Sequence, residues 1–215
     1  MNLSEIVDHA AETMPEHTAL VFEDRKISYA ELQRAVNKLS NALVKASVKK
    51  GDRVALIMPN TPQFVITYFA AIRIGAVAVT LNPVSTVHEL SHYFAECKPT
   101  AVVCKSDQAA KIHQLKVPGD YARTIISTEP VSGALSFDEA QQDSPDKFQA
   151  ADLTADDPAV IIFTAGLLGR ALGATLSHGN LQSNSVMLRD QCNGGPEQRV
   201  LALIPLFHAS GHARG

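Results

Sequence analysis

The chain reads Phe163-Thr164-Ala165-Gly166-Leu167-Leu168-Gly169-Arg170-Ala171-Leu172-Gly173 where an apolar run from Ala159 to Phe163 ends. The glycines at 166, 169 and 173 thus follow a segment of strand length. Because glycine lacks a Cβ atom, backbone N–H groups beside it can approach an oxyanion closely. The stretch therefore predicts a loop that holds phosphate groups, or else a simple flexible turn between two strands.

Strand-like and helix-like segments alternate before this loop. Strand-length apolar runs are found at Arg53–Met58, Ala76–Leu81, Ala101–Cys104 and Arg123–Ser127. Helix-length segments separate these runs, and such alternation predicts parallel βαβ units. We therefore expect an α/β fold with a mostly parallel sheet of βαβ units flanked by helices, formed by residues 1–215 as a single subdomain.

The starts of three helices carry capping signals. Ser28 and Thr86 are each followed three residues later by a glutamate, which predicts two capping boxes. Thr61 precedes Pro62, an order that suits an N-cap and a first helical position. Gly75 is predicted to stop the helix that follows, since glycine readily adopts left-handed backbone angles.

The remaining segments are assigned from turn residues and apolar runs. The assignments are a hairpin of Thr18–Phe22 and Lys26–Tyr29, a surface connection over residues 138–157, a helix capped by Asn180 that runs to about Cys192, and a strand at Val200–Ile204.

Composition excludes several classes of protein. A net charge of −3, no tryptophan and no basic stripe interleaved with aromatic residues argue against a nucleic-acid partner. Three cysteines without a Cys-x-x-Cys pair are typical of buried thiols in a reducing compartment. The longest apolar stretch, Phe64–Leu81, is broken by Thr67, Arg73 and Gly75 and is unsuited to crossing a membrane. With a polar N-terminus as well, a cytoplasmic protein without a transmembrane segment is expected.

Segments along most of the chain match one family in the right order. The glycine frame with Ser177-His178-Gly179-Asn180-Leu181 resembles a phosphate loop of the form Thr-Ser-Gly-Thr-Thr-Gly-x-Pro-Lys-Gly followed by Ser/Thr-His-x-Asn-Leu. The further matches are Ser28–Leu32, Gly51–Phe64, Gly75–Pro83 and Pro205–Gly211. In these motifs the chain resembles the adenylate-forming (AMP-binding) superfamily, which includes acyl-CoA synthetases, adenylation domains and firefly luciferase.

The resemblance implies the N-terminal portion of an acyl-CoA synthetase. Such a ligase activates a fatty or aromatic carboxylic acid with ATP and Mg2+, and then transfers the acyl group to CoA. Catalytic roles are thereby implied for Thr164 and His208, with His208 near the carboxylate. The residues implied to contact the cofactor are Thr164, Ala165, Gly166, Leu167, Leu168, Gly169, Arg170, Leu172 and Gly173.

The loop departs from the family pattern in its side chains. The replacements are Ala165 for a serine, Leu167 and Leu168 for hydroxyl residues, Ala171 for the proline and Leu172 for the lysine. Thr164 and Arg170 remain as side-chain donors. Each lost charge-assisted donor removes roughly 2 kcal/mol. Weak or absent ATP binding, and no adenylation by this chain alone, are therefore expected.

A second departure is length. The family's adenine-binding segment, hinge and C-terminal lysine lie beyond the Pro205–Gly211 segment, so a truncated fragment is expected. Apolar surface exposed by truncation would favour a homo-oligomer. The alternative is a non-catalytic, degenerate module that binds an acyl ligand or another protein.

Two histidine motifs have competing interpretations. His88-Glu89-Leu90-Ser91-His92 matches the zinc-protease pattern His-Glu-x-x-His, which places two histidines on one helix face. The competing interpretation is a solvated helix face on which Glu89 belongs to the capping box. His178 is interpreted mainly as a hydrogen-bonding residue at a helix entry. For His208, a partly buried histidine bonded to backbone competes with the substrate-site role.

Overall fold

The elements described here come from a computed structural model that describes residues 2–164, 171–191, 195 and 198–208. The helices are α1 Glu5–Thr13, α2 Tyr29–Lys45, α3 Pro62–Arg73, α4 Val87–Cys97, α5 Ser106–Ile112, α6 Phe137–Gln142 and α7 His178–Gln191. The strands are β1 Thr18–Phe22, β2 Arg25–Ser28, β3 Arg53–Ile57, β4 Val77–Thr80, β5 Ala101–Cys104, β6 Thr124–Ser127, β7 Leu135–Ser136, β8 Pro158–Thr164 and β9 Leu172–Ser177.

Within these residues, seven strands form one sheet in the order β7-β6-β5-β3-β4-β8-β9. Every neighbouring pair in that sheet is parallel except β8 and β9, which are antiparallel. Strands β1 and β2 form a separate antiparallel hairpin. The predicted α/β class with a mostly parallel sheet is confirmed.

The sheet is buried on both faces because helices cover each side. Along β3, the side chains of Val54 and Leu56 join a core with α2 and α3, whereas Ala55 and Ile57 join a second core with α4 and α5. Residues 54–57 are fully buried, as the uninterrupted apolar run predicts for a central parallel strand. Strands β4 and β5 are buried along their whole length in the same way.

Helix starts follow the capping signals in the sequence. Ser28 and Thr86 each accept a hydrogen bond from the backbone N–H of the glutamate three residues on, and each glutamate accepts one in return. The hydrogen bonds from the capping residue lower the pKa of Glu31 and Glu89. The φ angle of Gly75 is +77°, so the predicted left-handed stop after α3 is also confirmed.

The prediction of a surface connection over 138–157 is wrong for its first part. Helix α6 occupies Phe137–Gln142, and its N-cap Ser136 forms a third capping box with Glu139. Phe137 and Ala140 are buried against α2 and the core. One helical turn with two buried side chains gives too short an apolar periodicity to be recognised in the sequence.

Three local predictions need correction. Thr61 is the N-cap of α3, but its hydroxyl makes no capping hydrogen bond. Helix α7 begins at His178 rather than after Asn180, because Ser177 and Asn180 exchange side-chain-to-backbone hydrogen bonds of 3.1 and 3.2 Å at its entry. The predicted strand at 200–204 is irregular, since the Asn60 side chain rather than a strand ladder binds its backbone. None of the described helices is long and apolar enough to pass through a bilayer.

Candidate functional site

Strand β8, which leads into the glycine loop, ends at the carboxyl edge of the sheet, where α/β folds usually bind ligands. Thr164 ends β8, and β9 begins at Leu172 as its antiparallel partner. Residues 165–170 therefore connect two adjacent strands. Ala165, Gly166, Leu167, Leu168, Gly169 and Arg170 lie outside the described residues. The predicted contacts of these six residues with a cofactor stay predictions.

Thr164 and Leu172 form the described mouth of the loop. The two residues are register partners, and the Thr164 hydroxyl donates to the Leu172 carbonyl oxygen over 3.4 Å. Thr164 is exposed, and Leu172 leaves 68% of its surface exposed to solvent. The position that carries lysine in the family pattern thus presents hydrocarbon to water at the edge of the loop.

Gly173 is required by packing within the sheet. A Cβ atom at this position would lie 3.0 Å from the Ile161 methyl carbon Cγ2 and 3.5 Å from the Phe163 ring. A larger side chain at this position would require the Ile161 side chain to shift away from β9. The close approach of β9 to β8 favours glycine at this position, and its predicted contact with the cofactor stays a prediction.

His92 on α4 reaches the exit of the loop. Its Nε2 atom is 2.9 Å from the carbonyl oxygen of Ala171, the residue that follows the loop. The Phe163 ring lies with its centroid 6.5 Å from the His92 ring and 4.5 Å from the Tyr93 ring. In the sequence His92 carries only a metal-binding signal, so its contact with the loop was missed.

The segment that carries His208 is held at the neighbouring strand ends. The Asn60 side chain, just after β3, binds the backbone of residues 202, 204 and 206 at 2.7–3.1 Å. The buried Thr80 hydroxyl, at the end of β4, donates to the Phe207 carbonyl oxygen over 3.1 Å. Since β4 is paired with β8, this segment is anchored one strand away from Thr164.

His208 itself is exposed. The interpretation of His208 as a partly buried histidine is therefore wrong about its burial. Its backbone N–H donates to the Pro205 carbonyl oxygen over 3.0 Å. The catalytic roles implied for His208 and Thr164 remain predictions, although the strands bring both residues to the same edge of the sheet.

His178 is a buried hydrogen-bonding residue at the start of α7, as its sequence context suggested. Its Nδ1 atom accepts a hydrogen bond of 3.0 Å from the backbone N–H of Leu3. Burial lowers the pKa of the imidazole, while Asp157 acts in the opposite direction. The neutral ring thus ties the N-terminal segment to the body of the fold.

The residues of the zinc-protease motif are engaged elsewhere. Glu89 closes the capping box at Thr86, and His92 bonds to Ala171. His88 is exposed. Among the described residues, no group of three or more His, Cys, Asp or Glu side chains could hold a metal ion. The two cysteines in that part, Cys97 and Cys104, are buried thiols, and burial raises the pKa of each to about 12.

An apolar groove of about 340 Å³ lies on the α3 side of the sheet. Helices α1, α3 and α7 form its walls together with Leu206. Its aromatic lining comes from Phe64, Tyr68 and Phe69, and Val186 lies at its α7 side. The groove has the lining expected for an apolar ligand or a protein surface.

Residues 7–214 match the family model described as AMP-binding enzyme. The chain therefore belongs to the AMP-binding enzyme family. It is 34% identical to a feruloyl-CoA synthase from Amycolatopsis sp over 200 residues. These aligned residues cover 93% of this chain and 38% of that relative. An indoleacetate–CoA ligase from Aromatoleum aromaticum is 30% identical over 212 residues, which is 98% of this chain and 42% of that relative.

A solved structure of ATP-bound MatB from Rhodopseudomonas palustris gives the same picture. It superposes with a TM-score of 0.86 at 32% identity, over 98% of this chain and 41% of MatB. The fold is also shared with an anthranilate CoA ligase, AuaEII, at a TM-score of 0.87 and 22% identity, over 96% of this chain and 40% of that one. The chain spans about two fifths of the length of the curated relatives it matches.

Proposed function

We propose that this chain is the N-terminal subdomain, residues 1–215, of an ATP-dependent acyl-CoA synthetase. The observation that supports it most is that β8 ends at Thr164, at the carboxyl edge of the sheet, one strand from β4, whose Thr80 hydroxyl holds the Phe207 backbone. The complete ligase would activate a carboxylic acid with ATP and Mg2+ and transfer the acyl group to CoA. Its substrate would be a fatty or an aromatic carboxylic acid, since the relatives include ligases named for both kinds of acid.

The side chains at the mouth of the loop do not fit a triphosphate. The Thr164 hydroxyl is engaged with the Leu172 carbonyl oxygen, and the exposed Leu172 side chain offers no hydrogen-bond donor. An anion beside such a side chain would lose water without gaining a partner. We therefore assign no chemical step to this chain alone, and expect no ATP–pyrophosphate exchange with a panel of carboxylic acids. Exchange above background would contradict this.

Calorimetry with ATP tests the loop directly. Leu172→Lys places a charged donor at the exposed mouth, and a charge-assisted hydrogen bond of about 1.5–3 kcal/mol corresponds to roughly 10- to 150-fold tighter binding. Leu172→Met is the matched control, because it keeps the length and lacks the charge. Adding Leu167→Thr and Leu168→Thr should increase the gain. If the triple variant binds ATP no better than the methionine control, the loop is not a phosphate site.

The apolar groove supports a second candidate, a non-catalytic module that binds an acyl ligand. The occupant would be a hydrocarbon chain, packed between Phe64, Phe69 and Leu206. A fluorescent fatty acid should then bind, and Val186→Glu should weaken that binding by placing a charge at the groove. Val84→Glu is the control, since Val84 is 75% exposed and lies outside the groove. Equal binding by both variants would exclude the groove.

A further inference from the structure

Helix α4 holds His92 in a fixed position beside the glycine loop. Leu90 and Phe94, on either side of His92 in sequence, are fully buried in the core between α4 and the sheet. The capping box at Thr86 fixes the first turn of the same helix. The backbone that carries His92 is therefore anchored independently of the loop.

The hydrogen bond from His92 has a defined direction. The Ala171 carbonyl oxygen can only accept, so the His92 Nε2 atom must carry the proton over the 2.9 Å separation. Ala171 lies between the loop and Leu172, the first residue of β9. Its carbonyl group is the last one before the ladder with β8 begins, so this bond fixes the peptide plane at which the loop joins the sheet.

We propose that His92 is a positioning residue that fixes the exit of the 165–170 loop through its bond to Ala171. At the other end, Thr164 is fixed by its pairing with Leu172, so the loop is held at both ends. Through this bond His92 also supports phosphate binding by the loop. The role in phosphate binding rests on the proposed function, whereas the anchoring itself does not.

The rate of limited trypsin digestion tests the His92–Ala171 bond directly. Trypsin cleaves after arginine, and Arg170 immediately precedes Ala171 in the sequence. His92→Phe keeps a ring beside Phe163 and removes the donor. His92→Gln keeps an N–H donor and removes the ring. Loss of one hydrogen bond should speed cleavage after Arg170 by about 2- to 10-fold in the Phe variant. The Gln variant should stay within about twofold of the unmodified chain. Cleavage after exposed Arg25, the first residue of β2, is the internal reference.

Three results would overturn the proposal. Cleavage after Arg170 that is unchanged in the Phe variant would show that the bond holds nothing. Equal acceleration in the Phe and Gln variants would assign the effect to ring packing. A parallel rise at Arg25 would show general destabilisation instead of a local anchor.

Nucleotide binding separates this proposal from the proposed function. On the Leu172→Lys background, His92→Phe should reduce ATP affinity while His92→Gln retains it. If the Leu172→Lys chain binds no ATP at all, the proposed function fails, and the digestion result still decides the role of His92. Digestion that matches expectation together with ATP affinity insensitive to His92→Phe would refute the role in phosphate binding alone.

Discussion

Replacing Asn60 by alanine should release the segment that carries His208. The Asn60 amide nitrogen donates to the carbonyl oxygens of Ala202 and Ile204 at 3.1 and 3.0 Å, and its oxygen accepts from the Leu206 N–H at 2.7 Å. Three hydrogen bonds at 0.5–1.5 kcal/mol each amount to about 2–4 kcal/mol. Residues 201–203 add little apolar packing, since Leu201 and Leu203 are 78% and 79% exposed, whereas Leu206 and Phe207 pack against the core.

Hydrogen exchange at the Leu206 amide is the most direct assay. A loss of about 2–4 kcal/mol corresponds to exchange that is roughly 30- to 1,000-fold faster in the Asn60→Ala variant. Asn41→Ala is the matched control, because Asn41 also donates to three backbone carbonyl oxygens at 2.9–3.0 Å, those of Asn37, Pro145 and Lys147, away from the His208 segment. Exchange at Leu206 that is unchanged in Asn60→Ala, or equally fast in both variants, would show that Asn60 does not hold this segment.

Two further predictions concern the N-terminal segment. Because the pKa of His178 is lowered in the folded chain, the unfolded chain takes up a proton first as the pH falls through about 6.5. The free energy of unfolding therefore falls below that pH. His178→Asn keeps an acceptor for the Leu3 N–H and should flatten the pH dependence of this free energy, measured by urea unfolding, between about pH 7 and 5.5. An unchanged pH dependence would contradict this. Asp8→Asn should destabilise the fold by about 3 kcal/mol, since the Arg73 guanidinium is only 3% exposed and lies 2.8 Å from this carboxylate. Urea unfolding measures this loss, with Asp190→Asn as the control. That variant removes an exposed ion pair worth less than about 1 kcal/mol, so its free energy of unfolding should change little. Equal losses in the two variants would show that the Arg73 pair is no stronger than a surface pair.

Local signals in the sequence predicted most of the sheet and its helices. Strand β5 was predicted with its observed bounds, because a buried run between turn residues has few alternatives. The segment at 200–204 was predicted wrongly from the same kind of apolar run. Its backbone partner is a side chain more than 140 positions earlier, at Asn60, and no local pattern records such a partner.

The candidate site was predictable in outline and not in its contacts. The strand before the glycines was predicted, because the apolar run and the glycines are adjacent in sequence, but strand β9, which includes Leu172 and Gly173, was not. The packing reason for Gly173 depends on how closely β9 approaches Ile161, which is a property of the paired strands. The role of His92 depends on Ala171, which lies 79 positions along the chain and reaches α4 only in the folded sheet.

The pairing of β4 with β8 joins two strands that are far apart in the sequence. Strand β4 ends at Thr80, and β8 begins only at Pro158. At typical translation speeds the intervening chain takes on the order of ten seconds to emerge. Throughout that interval the edge of β4 that later pairs with β8 has no partner strand. Its residues Val77, Ala78 and Val79 can then pair with other polypeptides and aggregate. Chaperone occupancy should therefore peak before residue 164 leaves the exit tunnel.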